Sequence, residues 1–195
     1  MSNKTVNLRP IKTKLHRPPV PEDHVLRSRL LEQLNQSLHY PLTLISAPAG
    51  YGKSTLVSSW LDTFHYPHAW LSLDKNDNDL RMFITYFVAA VETMFPGAVA
   101  RMLRLLNGQN LPPLADLSGS LINDLDMIKE DFFLVLDDFQ HIDSKSLLKM
   151  LSTLLRYPPM SMHLIIIGRR DPFLPICFPS GKFGPVAVIP KLWNV

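Results

Sequence analysis

The sequence predicts a three-layer α/β fold, a parallel sheet flanked by helices. Three observations carry this. The stretch Ala47-Pro48-Ala49-Gly50-Tyr51-Gly52-Lys53-Ser54-Thr55 directly follows the apolar run Leu42-Thr43-Leu44-Ile45. Further short apolar runs end in charge at Asp137-Asp138 and at Arg169-Arg170. Between the runs, apolar residues recur every three or four positions, the spacing of helices packed on a sheet.

Composition sets the frame. A chain of 195 residues suits one α/β domain with a real core, and 46% apolar with 19% charged residues is globular rather than disordered. The net charge of +3 is unevenly spread, with seven Lys or Arg against two acids up to Leu31 and eight acids against one Lys from Asp116 to Asp143. A basic arm either touches nucleic acid or membrane, or is a solvated leader that helps hold a nucleotide; the second reading is favoured. Cys177 is the only cysteine, which excludes an intrachain disulfide and gives no sign of an oxidising compartment. There is no apolar signal core at the start and no run of membrane-spanning length, so the expected setting is cytoplasmic, with no membrane partner.

In chain order, residues 1–24 form an amino-terminal arm. Its first fourteen residues are expected to be mobile, and Pro18, Pro19 and Pro21 impose an extended path. Leu26, Leu30, Leu31, Leu34 and Leu38 then make a helical stripe over 25–38, with Arg27 and Arg29 beside it.

The stretch after Ile45 reads as a phosphate-binding loop. Gly50 and Gly52 let the backbone turn so that successive N–H groups face a polyphosphate at a helix start. Lys53 then reaches the β- and γ-phosphates, Ser54 supplies one Mg²⁺ ligand, and Thr55 lies near the α-phosphate. Ala47 stands where the usual pattern begins with glycine. The alternative is a structural loop that binds nothing; the strand before it and the stripe Leu56, Val57, Trp60, Leu61 and Phe64 after it favour nucleotide.

Ala69-Trp70-Leu71-Ser72-Leu73 reads as a buried strand ending in polar residues 74–79. Met82, Phe83, Tyr86, Phe87, Ala90, Val91 and Met94 share a helix face, stopped by Pro96-Gly97. A short helix over 99–106, a loop over 108–113 and a helix bearing Leu114, Leu117, Leu121, Leu125 and Ile128 follow. These stripes are read as core.

Phe132-Phe133-Leu134-Val135-Leu136 suits a strand buried on both faces, with Asp137 and Asp138 at its carboxyl end, where open α/β sheets bind ligands. Asp137 is placed to hold the Mg²⁺ shared with Ser54, and Asp138 to orient an attacking water. Read alone, the two acids also fit a helix N-cap and its neighbour. A helix over 146–155 ends at Pro158-Pro159, and the strand 163–168 leads into Arg169-Arg170-Asp171-Pro172. Arg169 either senses a γ-phosphate or pairs with Asp171; spacing leaves the two open. Residues 186–189 supply a last strand, and no histidine has metal-ligand spacing.

Together these stretches resemble the nucleotide-binding domain of the signal-transduction ATPases with numerous domains, in the MalT-like, large LuxR-type branch. The matching pieces are Thr13-Lys14-Leu15 with Pro18, residues 25–31, the loop 46–55, Trp70 to Asp74 with Asp77-Asn78-Asp79, Leu134 to Asp138, and Arg169 with Asp171-Pro172. The resemblance implies a P-loop NTPase fold with strand order five-one-four-three-two. It implies a nucleotide domain over 25–175, binding ATP or ADP with Mg²⁺, and a divergent end over 176–195. It further implies that Val25 and Arg27 close over the adenine, that Arg169 is the sensor arginine, and that self-association accompanies the ATP state. Gly168 departs from the family, which more often has a small hydroxyl residue there. Such regulators continue into helical, winged-helix, repeat and DNA-reading domains that do not fit here, so a fragment with no DNA binding of its own is expected.

The expected function is an ATP/ADP switch domain with slow hydrolysis, in which Lys53, Asp137, Asp138 and Arg169 carry the chemistry. Two other classes remain: a small P-loop kinase, which needs an acceptor pocket and an arginine-bearing lid, and a truncated fragment that mediates interactions without catalysis.

Overall fold

The alternation of apolar side chains along each strand decides the layering. The computed structural model describes residues 10–25, 27–170, 174 and 187–190. Its strands are β1 (Leu42–Ser46), β2 (His68–Ser72), β3 (Phe132–Asp137), β4 (Met162–Gly168) and β5 (Ala187–Pro190). All neighbours pair in parallel, in the order β2-β3-β4-β1-β5, which is the expected order read from the other edge. Val186, expected in the last strand, lies outside the described residues, as do Leu26, Asp171, Pro172 and Cys177.

The helices are α1 (Ser28–Ser37), α2 (Lys53–Leu61), α3 (Leu80–Met94), α4 (Ala100–Leu106), α5 (Leu114–Asp126) and α6 (Lys145–Arg156). Because successive strand residues face opposite ways, Phe132, Leu134 and Leu136 of β3 pack with α3, α5 and α6, while Phe133 and Val135 pack with α1 and α2. The same split divides Leu164 and Ile166 from Ile165 and Ile167 on β4. Trp60 of α2 is fully buried and donates its indole N–H to Asn35 Oδ1 of α1 at 2.8 Å, which fixes the two helices against each other.

Two local expectations change. The helix expected from residue 25 begins at Ser28, because Arg27 is its non-helical N-cap residue at φ −110° and ψ 74°. Lys12–Leu15, of which all but Leu15 were expected to be mobile, form a 3-10 turn whose Lys14 ammonium bonds Asp74 and Asp77 and lies 4.5 Å from the Tyr86 ring centroid. A buried carboxylate that needs a cation holds this part of the arm in place.

The register positions the site. Ser46 stands opposite Gly168 across β1 and β4, and Asp137 ends β3 on the other side of β4. The loop after β1, the acids after β3 and the arginine after β4 therefore emerge together at the carboxyl edge of the sheet.

Candidate functional site

The loop leaves β1 already tied to β4, since the Ala47 N–H donates to the Gly168 carbonyl at 3.3 Å. Ala47 is buried, whereas Pro48, Ala49, Gly50, Tyr51 and Gly52 are exposed. Gly50 and Gly52 adopt φ of +80° and +73°, and a Cβ on either would meet nothing within 4 Å, so what the turn requires is left-handed backbone, not space. The Leu56 N–H bonds the Gly52 carbonyl at 2.8 Å and opens the α2 ladder. The N–H groups of Lys53, Ser54 and Thr55 precede that ladder, at the positive end of the helix.

Lys53 donates its ammonium to the Pro48 carbonyl at 2.9 Å. Burial lowers its pKa and Arg169 adds to that, while Asp137 and Asp138 pull it up. The other three residues expected to carry chemistry thus lie within electrostatic reach of Lys53.

Asp137 is buried at the end of β3. Burial raises its pKa, opposed by hydrogen bonds from Ser54 and the Asp138 backbone, with the charge of Asp138 adding to the rise and that of Lys53 opposing it. Asp138 is exposed in the left-handed region at φ 56°, and its N–H bonds Asp137 Oδ1 at 2.8 Å. Asp138 is the N-cap residue of the 3-10 turn Phe139–His141, but its side chain makes no capping bond there. Instead Asp138 Oδ1 accepts from Gln140 Nε2 at 2.8 Å, and Gln140 Oε1 accepts from the Arg169 N–H at 3.1 Å. Nothing in the sequence singled out Gln140, because an amide two residues beyond an acid carries no spacing signal. The alternative partner of Arg169, Asp171, lies outside the described residues.

Val25 and Arg27 come to the loop through the arm. They line a cavity of about 250 Å³ together with His24, Gly52, Thr55 and Ser59. The His24 ring sits 3.2 Å from Ser59 Oγ, Ser58 Oγ donates to the Pro18 carbonyl at 2.6 Å, and Arg17 bonds Asp62. These contacts strap the arm onto α2. Val25 remains 78% exposed at the cavity lip. A larger cavity of about 670 Å³ lies among the arm, α3 and α4 and includes no residue of the loop or of the acidic strand end.

A nucleotide with Mg²⁺ fits this donor set. Helix-start N–H groups and two cations suit a polyphosphate, and a carboxylate that burial holds above its ordinary pKa beside a serine hydroxyl suits a divalent cation. Among the described residues, no cluster of three or more His, Cys, Asp or Glu offers another metal site, and no helix is long and apolar enough to cross a membrane.

Residues 24–167 match the AAA ATPase domain. The chain belongs to the AAA ATPase domain family. This AAA ATPase domain is 35% identical over 167 residues to the HTH-type transcriptional regulator MalT of Yersinia pestis (strain Pestoides F), covering 85% of this chain and 18% of that protein. It is 33% identical over 166 residues to MalT of Klebsiella pneumoniae, with the same coverage. The chain therefore spans under a fifth of the curated relatives it matches. Cdc6p from Pyrobaculum aerophilum shares the fold, at a TM-score of 0.56 and 16% identity over 83% of this chain and 43% of that one. AAA ATPase domains bind nucleotide, usually with Mg²⁺, and the resemblance to the MalT-like branch read from the motifs holds.

Proposed function

We propose that this AAA ATPase domain is an ATP/ADP switch with slow hydrolysis, serving a MalT-like transcriptional regulator. The observation that carries the reading is the convergence of Lys53, Asp137, Asp138 and Arg169 on one loop, with a cavity bounded by Val25 and Arg27 beside it. The loop N–H groups and Lys53 bind the phosphates, and Val25 and Arg27 close over the adenine. Ser54 and Asp137 would hold Mg²⁺, which neutralises phosphate charge when bound. Arg169 adds positive charge on the γ-phosphate side, and Asp138 orients the attacking water. The strapped arm links adenine occupancy to α2, which suits a switch. By analogy with the resembled regulators, ADP holds the resting state and ATP permits self-association in the cytoplasm.

A thermal melt and a fluorescent-nucleotide titration with Mg²⁺, run beside Lys53→Ala, test this. Ligand at ~100 times its dissociation constant adds about 2.7 kcal/mol to a fold that binds it. Stabilisation by ADP or ATP that disappears in Lys53→Ala is the expected result. A well-folded parent protein that neither nucleotide stabilises overturns the proposal, and a phosphotransfer assay that finds an acceptor turns it into a kinase.

A further inference from the structure

We infer that Gln140 is a positioning residue for hydrolysis, holding the Asp138 carboxylate in register with Arg169. The inference rests on the nucleotide-switch reading and adds a residue to it. Asp138 is exposed, sits in left-handed backbone, and spends its own N–H on Asp137, so nothing in its own main chain directs its carboxylate. Side-chain rotation toward water would separate it from its acidic neighbour, whose pKa its charge raises. The Gln140 amide opposes this rotation with one bond to Asp138 Oδ1 at 2.8 Å, while its other end is pinned at 3.1 Å by the backbone N–H of Arg169.

The orientation of the amide follows from chemistry. The Arg169 N–H can only donate, so it faces Oε1, which leaves Nε2 for a carboxylate that, when ionised, only accepts. The site therefore needs a side chain that accepts at one end and donates at the other. The surroundings close the arrangement into a ring. Gly168, next to Arg169, receives the Ala47 N–H from the phosphate loop, and Asp137 receives both the Asp138 N–H and the Ser54 hydroxyl. The Gln140 side chain joins the β3 end of this ring to the β4 end.

In the reaction, the water oxygen bonds to the γ-phosphorus as the β,γ-bridging bond breaks, ADP leaves with the bonding electrons, and the proton departs on the phosphate product. Asp138 accepts a hydrogen bond from that water, and its reach depends on Gln140. Because Gln140 also holds the Arg169 backbone, a change at Arg169 on loss of the γ-phosphate is carried to Asp138.

The test compares Gln140→Met, which removes both bonds at similar length, and Gln140→Glu, which keeps the acceptor and sets a negative charge against Asp138. Dissociation constants for Mg·ADP and Mg·ATP, single-turnover hydrolysis and melting temperature are read for each. The expected result is single-turnover hydrolysis slowed about tenfold or more, and more in Gln140→Glu, with Mg·ADP affinity within about twofold of the parent. A merely structural role would instead lower the melting temperature and weaken ADP in step with the rate. Unchanged hydrolysis in both variants of a hydrolysing parent overturns the inference alone. A parent that binds nucleotide without hydrolysing it also overturns the inference and leaves the nucleotide site standing. A folded parent that binds no nucleotide removes the proposed function and the inference together.

Discussion

The ammonium of Lys14 bonds Oδ2 of Asp77, a carboxylate with no exposed side-chain surface, across 63 residues of sequence. Asp77 Oδ2 also accepts the Asp74 N–H at 2.7 Å, while its Oδ1 is buried without a partner among the described residues. Desolvation alone would lower the Lys14 pKa, but Asp77 and Asp74 outweigh it and the pKa is raised, so the lysine stays charged. Lys14→Met leaves the buried carboxylate uncompensated and is expected to cost about 3–5 kcal/mol. Denaturant melts of Lys14→Met beside Lys14→Met/Asp77→Asn check this, since the double variant should regain much of the loss. Equal losses in both would show that the cation is not what the carboxylate needs.

On the proposed reading, Asp137 sets stability against function. Its folded pKa lies above the ordinary value because of burial, so its contribution to stability is full below the unfolded pKa and is lost as pH rises through the folded one. At neutral pH the ionised carboxylate is therefore a burden that a bound cation would relieve. Asp137→Asn is expected to melt higher than the parent at pH 7, with the gap closing toward pH 4, and to lose about tenfold or more in Mg²⁺ dependence of nucleotide binding. A lower melting temperature at pH 7 would remove this account.

His163 sits at the opposite end of the sheet from the loop. Thr43 Oγ1 donates to Ser37 Oγ at 2.8 Å, Ser37 Oγ donates to the Leu34 carbonyl at 2.6 Å, and His163 Nε2 lies within hydrogen-bond distance of Thr43 Oγ1 at 2.9 Å. Burial lowers the imidazole pKa from 6.5 to about 4. A base with a depressed folded pKa contributes stability that is present above 6.5 and is lost as pH falls toward 4, by at most about 3 kcal/mol over that interval. His163→Gln keeps a side-chain amide, which can donate or accept at Thr43, without a titrating ring. Denaturant melts from pH 7.5 to 4 should show a shallower acid loss in His163→Gln than in the parent; parallel curves would place the acid sensitivity elsewhere.

Val25 offers a direct test of the proposed adenine site. An exposed valine at its lip gains cover when a base enters, so Val25→Ser should weaken adenine nucleotides by up to about 1 kcal/mol, roughly fivefold. Inorganic tripolyphosphate, which has no base, should bind Val25→Ser and the parent alike. Equal weakening of tripolyphosphate and ADP would mean that Val25 acts on the loop rather than on the base.

The elements that carry the candidate site were legible because their signals are local. The apolar run at 42–45, the glycines at 50 and 52 and the helical stripe from Leu56 lie within one strand-loop-helix unit, and the same is true of residues 132–138. The identity of each strand followed from apolar runs, and the strand order followed from family resemblance, since pattern alone does not say which parallel strands are neighbours. The start of α1 was missed by about a turn because Val25 is apolar yet lines the cavity ahead of α1 rather than joining the helix.

By itself, the sequence determined the α/β class, the phosphate loop and the carboxylates that follow a buried strand, because backbone propensity and side-chain periodicity act over a few neighbouring residues. Only the tertiary structure decided that Gln140 joins Asp138 to Arg169, that Lys14 holds Asp77, and that the arm walls the cavity beside Gly52 and Thr55. The first two pair groups 29 or more residues apart, apart from the short step between Asp138 and Gln140. Their partners are chosen by which buried or exposed polar groups the parallel register brings within hydrogen-bond distance, and no local pattern encodes that choice.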